Sequence, residues 1–423
     1  MDDDGGGFVR IGYVTQWFDP ETGSAATPGI IARALTARGH EVEVLTGFPN
    51  YPEGHLYDGY RLAPYRREVR DGMTVHRAPL IPTHKSRAAS RILNYTSFAA
   101  SAAAIGARVF RKADVILVHS TPATVAIPAL AAKAMYGVPF VPMIQDLWPD
   151  TVTSSGFLGN GQASGVEKVL HRFCDTVYRQ AAHIAVISPG MSESIQHRGI
   201  SADKITFAPN WVDESTFYPE PRDESLRKSF GLTRDFVVMY AGNFGEFQAL
   251  DLVLAAAERL RARSDVHFAL VGGGVMEAAL KRIVEEKRLD NVVFVPSQPF
   301  SVMSKVLALG DLHLVSLQDL PLFRITLPSK LQATLAAGKP LVGTVRGDAE
   351  TIIRESGAGR TSIPGDADDL ARVVAEMADD PTGTAAMGRV GREYYERVFS
   401  EESSAGRLAA VLETVATDRR KSC

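Results

Sequence analysis

Phe236-Val237-Val238-Met239-Tyr240-Ala241-Gly242 runs into Asn243-Phe244-Gly245 and then into Gln248-Ala249-Leu250-Asp251. An unbroken apolar run of strand length, closed by glycine and followed by helical residues, reads as a strand buried on both faces that turns into a helix. The pattern has already occurred once. Phe8-Val9-Arg10-Ile11-Gly12-Tyr13-Val14 opens the chain, and a helix is predicted from Pro28 to Ala37. Gly39 closes that helix, and Glu41-Val42-Glu43-Val44-Leu45 then alternates as a strand does. The stretch at 236 is therefore a second beginning, and it divides the chain.

Outward from it, strands are expected at Val266–Val271, Val292–Val295, Leu312–Leu317 and Pro340–Gly343 on one side. On the other side they are expected at Val75–Ala78, Val115–Val118, Phe140–Ile144 and Ile184–Ile187. Strands that alternate with helical stretches imply parallel βαβ units and doubly wound sheets. The fold class is α/β, with two Rossmann-like domains. A polar, proline-bearing crossing (Pro209-Asn210-Trp211-Val212-Asp213, then Pro219 and Pro221) joins them, giving domains 1–212 and 213–399. A last helix, 400–416, is free to pack on either domain. No solenoid-type repeat is visible.

Composition narrows the function classes. Lys and Arg total 46 against 49 Asp and Glu, a net charge of −3, which excludes a general nucleic-acid binder. Two cysteines, Cys174 and Cys423, build neither a disulfide framework nor a cysteine-rich zinc site. The start, Met1-Asp2-Asp3-Asp4-Gly5, is acidic, the opposite of a secretory signal. The alanine-rich run Phe98 to Phe110 is too short to span a bilayer and contains Arg108. These features lead us to expect a soluble, cytoplasmic protein.

Two loops stand out. Glycines at Gly242 and Gly245 let backbone approach a diphosphate, and a helix N-terminus adds free N–H groups and a positive dipole. The other reading of this loop is a strand-to-helix turn that needs glycine. Gly272-Gly273-Gly274 repeats the choice after the next strand. Pro328-Ser329-Lys330-Leu331 reads as a helix start, and Lys330 in the first turn opposes the helix dipole. A cation in that position either binds an anion together with the N-terminal amides or simply points away.

Gly242-Asn-x-Gly-x-x-Gln-x-Leu-Asp251 and Pro328-Ser-Lys-Leu331 before Ala336-Ala-Gly-Lys-Pro340 resemble retaining family 4 glycosyltransferases of the GT-B fold. Pro49-Asn50-Tyr51-Pro52-x-Gly54, Asp146-Leu147-Trp148-Pro149 and Arg91-x-x-Asn94-Tyr95 resemble bacterial surface-polysaccharide enzymes of that family, such as N-acetylfucosamine transferases. The resemblance implies two facing domains with a cleft between them, an acceptor on the first and a nucleotide sugar on the second. It implies transfer of a sugar, of N-acetylhexosamine type, from a UDP-linked donor to a glycan, a polyprenyl-diphosphate-linked carrier or a small molecule. Donor contacts then fall on Gly23, Gly242, Asn243, Gln248, Gly272, Arg324, Ser329, Lys330 and Leu331. Asp146 and Lys330 are the catalytic candidates. Neither a metal nor a cofactor is implied; the nucleotide sugar is a substrate.

The sequence also departs from the family. Asn243 and Gln248 stand where an Arg and a Lys usually grip the diphosphate, and apolar Ile325 and Ala333 stand near the places of a Glu-x7-Glu pair. Positive charge must then come from Lys330 first and Arg324 second. Gln145 replaces a histidine beside the sugar and has no basic nitrogen to act as a general base. Asp146 either works on a hydroxyl or caps the turn that follows, and His119 is read as structural. His84-Lys85-Ser86-Arg87 through Arg91 and Asn94-Tyr95 is basic and then apolar. It is read either as a solvated helix face or as the acceptor side, where Arg87, Arg91, Asn94 and Gln145 would meet a phosphorylated acceptor near the inner membrane face. A nucleotide-sugar epimerase and an inactive nucleotide-sugar-binding protein are the alternatives. A nicotinamide dehydrogenase is disfavoured because no Gly-x-Gly-x-x-Gly follows either first strand.

Overall fold

The computed structural model describes residues 7–83, 88–149 and 163–422. The chain forms two compact units, one of Met1–Asn210 with Ala405–Cys423 and one of Trp211–Ser404.

The first unit holds an eight-stranded sheet built from β1 (Arg10–Val14), β2 (Glu41–Gly47), β3 (Arg66–Arg70), β4 (Met73–Ala78), β5 (Val115–Ser120), β6 (Phe140–Ile144), β7 (Ile184–Val186) and β8 (Ile205–Phe207). Their order is β3-β4-β2-β1-β5-β6-β7-β8. All neighbours are parallel except β3 and β4. β5 and β6 are buried along their whole length, as expected of parallel strands covered by helices on both faces. The register sets Tyr13 between Val44 and Leu117, so the chain reverses direction across the sheet between β1 and β5. Ligands of open parallel sheets bind beyond the strand ends at that point.

β3 was not expected. Its sequence, Arg66-Arg67-Glu68-Val69-Arg70, is charged because it forms the exposed edge of the sheet, where charge discourages pairing with another chain. The hairpin to β4 turns on Asp71 (φ +47°) and Gly72 (φ +76°), the positive pair that a two-residue hairpin loop requires. The last helix, Glu401–Ser422, is longer than predicted, and from Ala405 onward it belongs to the first unit. Arg420 Nη2 there donates to Asp114 Oδ2 (2.8 Å) and to the Phe8 carbonyl (2.9 Å).

The second unit holds a six-stranded, all-parallel sheet of β9 (Phe236–Asn243), β10 (Val266–Gly273), β11 (Val292–Val295), β12 (Leu312–Ser316), β13 (Leu341–Thr344) and β14 (Gly359–Ser362). Its order, β11-β10-β9-β12-β13-β14, is the Rossmann order counted from its own first strand. The direction reverses between β9 and β12. Val238, Tyr240, Phe268, Leu270 and Leu314 pack with Leu254 and Val374 from the covering helices into one core. Each large apolar side chain buried there contributes about 1.5–3 kcal/mol. β14 is short and largely polar, and like β8 it had no apolar run to announce it.

Candidate functional site

In the second unit β9 and β10 stay paired past their apolar stretches, Gly242 opposite Gly272 and Asn243 opposite Gly273. Gly272 has φ +143°, and a Cβ there would collide with the Gly242 carbonyl. Its glycine is thus accounted for by strand approach. Gly242 has φ +146°, and a Cβ on it would stand 2.5 Å from Cε of Lys330. Its glycine makes room for the lysine.

Lys330 lies in the first turn of the helix Ser329–Ala336, whose N-cap is Pro328 and which has no side-chain cap. Its stem crosses the bare Cα of Gly242, and Nζ sits 5.1 Å from the centroid of the Tyr240 ring. The Tyr240 hydroxyl donates to the Asn243 carbonyl at 2.8 Å, which fixes the ring beneath the ammonium. Burial lowers the Lys330 pKa, and among the described residues no carboxylate pairs with it. A desolvated cation that opposes a helix dipole and has a π-face beneath it has the chemistry to hold an anion.

The neighbouring residues differ in what they can add. Asn243 is exposed, with its side-chain oxygen folded over Gly274, and the Gln248 amide folds over Gly245. Ser329 is exposed at the helix start. The Leu331 amide, expected to face the diphosphate, instead donates to the Pro328 carbonyl at 2.9 Å, and Leu331 is fully buried. Arg324, the second cation of the sequence reading, is held by Asp319 through Nε (2.7 Å) and Nη2 (2.9 Å), a fork that already neutralises it.

In the first unit Gly23 opens a 3-10 turn, Gly23–Ala26, that leads into the helix Thr27–Ala37. Asp146 follows β6, and its Oδ2 accepts from Thr121 Oγ1 at 3.0 Å. Burial raises its pKa, against the pull of that hydroxyl. Its carboxylate is turned to Thr121, and the turn that follows closes through backbone, Trp148 N–H to the Asp146 carbonyl at 3.0 Å. Gln145 is locked in a reciprocal amide pair with Asn210, at 2.6 and 3.2 Å. Asn94 is 1 % exposed; it donates to Asn50 Oδ1 (3.2 Å) and the Ile81 carbonyl (2.9 Å) and accepts from Gln16 Nε2 (3.0 Å). It bolts loops together and has no N–H left for an acceptor. Arg91 lies partly buried on the helix Ala88–Val109, and Arg87 falls outside the described residues. The buried His119 ring is held neutral, its pKa lowered to about 3 by desolvation, beside the Tyr13 hydroxyl at 3.1 Å.

Sequence reading missed Glu21. It is 2 % exposed and accepts backbone N–H bonds from Asn50 and Tyr51 (both 2.8 Å) and Phe18 (3.0 Å). Burial raises its pKa to about 7 against those three donors and Arg77. Its partners are separated from it by up to 30 positions, so only its closeness to Gly23 hinted at it. Among the described residues no helix is long and apolar enough to cross a membrane, and no three His, Cys, Asp or Glu side chains gather into a metal-binding group.

Residues 22–211 match the Glycosyl transferase 4-like domain, and residues 235–380 match the Glycosyl transferases group 1 domain. The chain is 31 % identical over 339 residues to the Escherichia coli (strain K12) protein named "Putative colanic acid biosynthesis glycosyl transferase WcaI", covering 79 % of this chain and 82 % of that one. It is 24 % identical to "Probable glycosyltransferase WbjE" of Pseudomonas aeruginosa over 73 % of this chain and 77 % of that one. Among solved structures, the sucrose-phosphate synthase of Thermosynechococcus elongatus superposes with a TM-score of 0.71 at 16 % identity, covering 97 % of this chain and all of that one. The HepE protein of Anabaena, solved with UDP, superposes with a TM-score of 0.67 at 16 % identity, over 96 % of this chain and all of that one. Two Rossmann-like parallel sheets with this order and these domain matches make the chain a GT-B protein, and it belongs to the family 4 glycosyltransferases.

Proposed function

We propose that this glycosyltransferase moves an N-acetylhexosamine-type sugar from a UDP-linked donor, with retention at the anomeric carbon, onto a glycan, a polyprenyl-diphosphate-linked carrier or a small molecule. The observation that carries the reading is Lys330: an ammonium with no carboxylate partner among the described residues, desolvated over Tyr240 and Gly242 at a helix start. As the bond from C1 to the diphosphate oxygen breaks, negative charge grows on the leaving phosphate. Lys330 and the helix-start amides supply fixed positive charge there with little reorganisation. The acceptor oxygen bonds to C1 on the face the diphosphate leaves, and its proton passes to the leaving phosphate. The scheme calls for no cofactor and no metal, so EDTA should leave turnover unchanged. Support for a UDP donor comes from the HepE structures with UDP and with UDP-glucose, and support for a surface polysaccharide comes from the relative named for colanic acid.

Lys330→Ala is expected to cut turnover about 10²–10³-fold with far-UV circular dichroism unchanged. A near-native rate would remove Lys330 from the mechanism. Proton NMR of the first product reports the anomeric configuration. On the acceptor side, Arg91 is flanked by exposed Ile92 (42 %) and Leu93 (47 %), which supports shallow contact with an anionic membrane or a lipid-linked phosphate. Salt-sensitive binding to anionic liposomes that weakens in Arg87→Ala/Arg91→Ala tests this contact.

A further inference from the structure

Trp17, Tyr51, Tyr95 and Trp148 come from four segments: the loops after β1, β2 and β6, and the helix Ala88–Val109. They meet as one chain of rings. Trp17 lies 5.1 Å from Tyr51 (interplanar angle 52°) and 6.2 Å from Tyr95 (79°), and Tyr95 lies 6.3 Å from Trp148 (67°). All four are only partly buried, whereas the aromatic residues of the sheet core, such as Tyr13 and Phe140, are fully buried. Burial raises the Tyr95 phenol pKa, Arg91 pulls it down, and the Tyr51 phenol and Asp146 push it up. Three of the loops lie at the carboxyl ends of parallel strands, where such sheets take their ligands.

Partly buried indole and phenol rings within electrostatic reach of a carboxylate and a guanidinium suit a pyranose, whose C–H face is apolar and whose rim is hydroxylated. A lipid tail would call for a uniformly apolar groove. Resting on the glycosyltransferase reading, we propose that these four rings are the platform on which the acceptor's sugar ring stacks, with Asp146 taking one of its hydroxyls. Acceptor choice would then be set by which pyranose packs against these rings.

The chain has three tryptophans, so Trp211→Phe leaves Trp17 and Trp148 as the only indoles in the full protein. That variant is titrated with the methyl glycosides of the common hexoses and N-acetylhexosamines at millimolar concentration while indole emission is followed. UDP binding is measured in parallel by calorimetry. We expect a saturable emission change with at least one glycoside, weakened about tenfold by Tyr51→Ala and restored by Tyr51→Phe, while UDP affinity stays unchanged. Normal UDP binding with no glycoside response overturns the platform. So does a saturable response to polyprenyl monophosphate in detergent micelles without one to glycosides. Failure of the wild-type chain to bind UDP would strike the donor reading instead, and the glycoside titration would still decide the platform.

Discussion

Gly242 and Lys330 share one space: a Cβ on the glycine would stand 2.5 Å from Cε and 3.2 Å from Nζ of the lysine. Each residue is explained by the other, since the ammonium reaches the Tyr240 ring only because position 242 has no side chain. The site depends on this pair more than on the glycine count of the loop.

Gly242→Ala should therefore displace the ammonium. Its φ of +146° adds backbone strain that a non-glycine residue carries at a cost of about 1–3 kcal/mol. Calorimetry should show UDP affinity falling about tenfold or more, equivalent to at least 1.4 kcal/mol, in a protein that still folds.

Lys330→Met should stabilise the protein while cutting transfer about as far as Lys330→Ala does. Because burial lowers its folded-state pKa, Lys330 contributes favourably only above its unfolded value and is a net cost at neutral pH. Methionine keeps the stem over Gly242 without the charge. Differential scanning calorimetry should show Tm rising by about 2–4 °C for each kcal/mol recovered, and UDP should no longer shift it.

His119 offers a test in acid. Burial lowers its pKa from 6.5 to about 3, so the stability it confers is complete above pH 6.5 and is lost as pH falls through about 3. His119→Gln should flatten that limb of the urea-unfolding profile by up to about 5 kcal/mol. Turnover near neutral pH should keep its pH dependence, because the ring is already neutral there.

Asp146→Asn should separate stability from chemistry. Burial raises the pKa of this carboxyl, so its stabilising contribution is present below its unfolded pKa and lost as pH rises through the folded one. Asparagine keeps an acceptor for Thr121 and should make the protein more stable at neutral pH. Transfer should fall in the same variant, with UDP affinity unchanged.

Asn94→Ala should behave in the opposite way. It strands Gln16, Asn50 and the Ile81 carbonyl inside the protein, a loss of about 2–4 kcal/mol measurable by urea unfolding, while UDP affinity holds.

What the sequence disclosed follows from how each signal is encoded. Apolar runs mark buried parallel strands, so β9, β10 and β6 were legible almost residue by residue. β3 was not, because an edge strand is written in charge; only Asp71-Gly72 betrayed its hairpin. Lys330 stood out in the sequence because a cation opposing a helix dipole is locally odd. The fate of the Leu331 amide depends on how the Pro328 carbonyl is aimed, which composition does not encode. Asn94 was placed on the acceptor side from its Arg91-x-x-Asn94-Tyr95 motif, and the partners that lock it in the interior lie 44 and 78 positions away, out of reach of any local pattern. The aromatic tetrad escaped notice for the same reason: its motifs are far apart in the chain and meet only in space.

The Asp114–Arg420 contact also bears on how the protein is made. A ribosome completes Asn210 well before it adds Ala405, so the nascent first unit carries Asp114 and the Phe8 carbonyl without their closing arginine. The second unit has all its strands made before that terminal clasp is reached. Premature termination near the end of the message would therefore injure the sheet at the opposite end of the polypeptide.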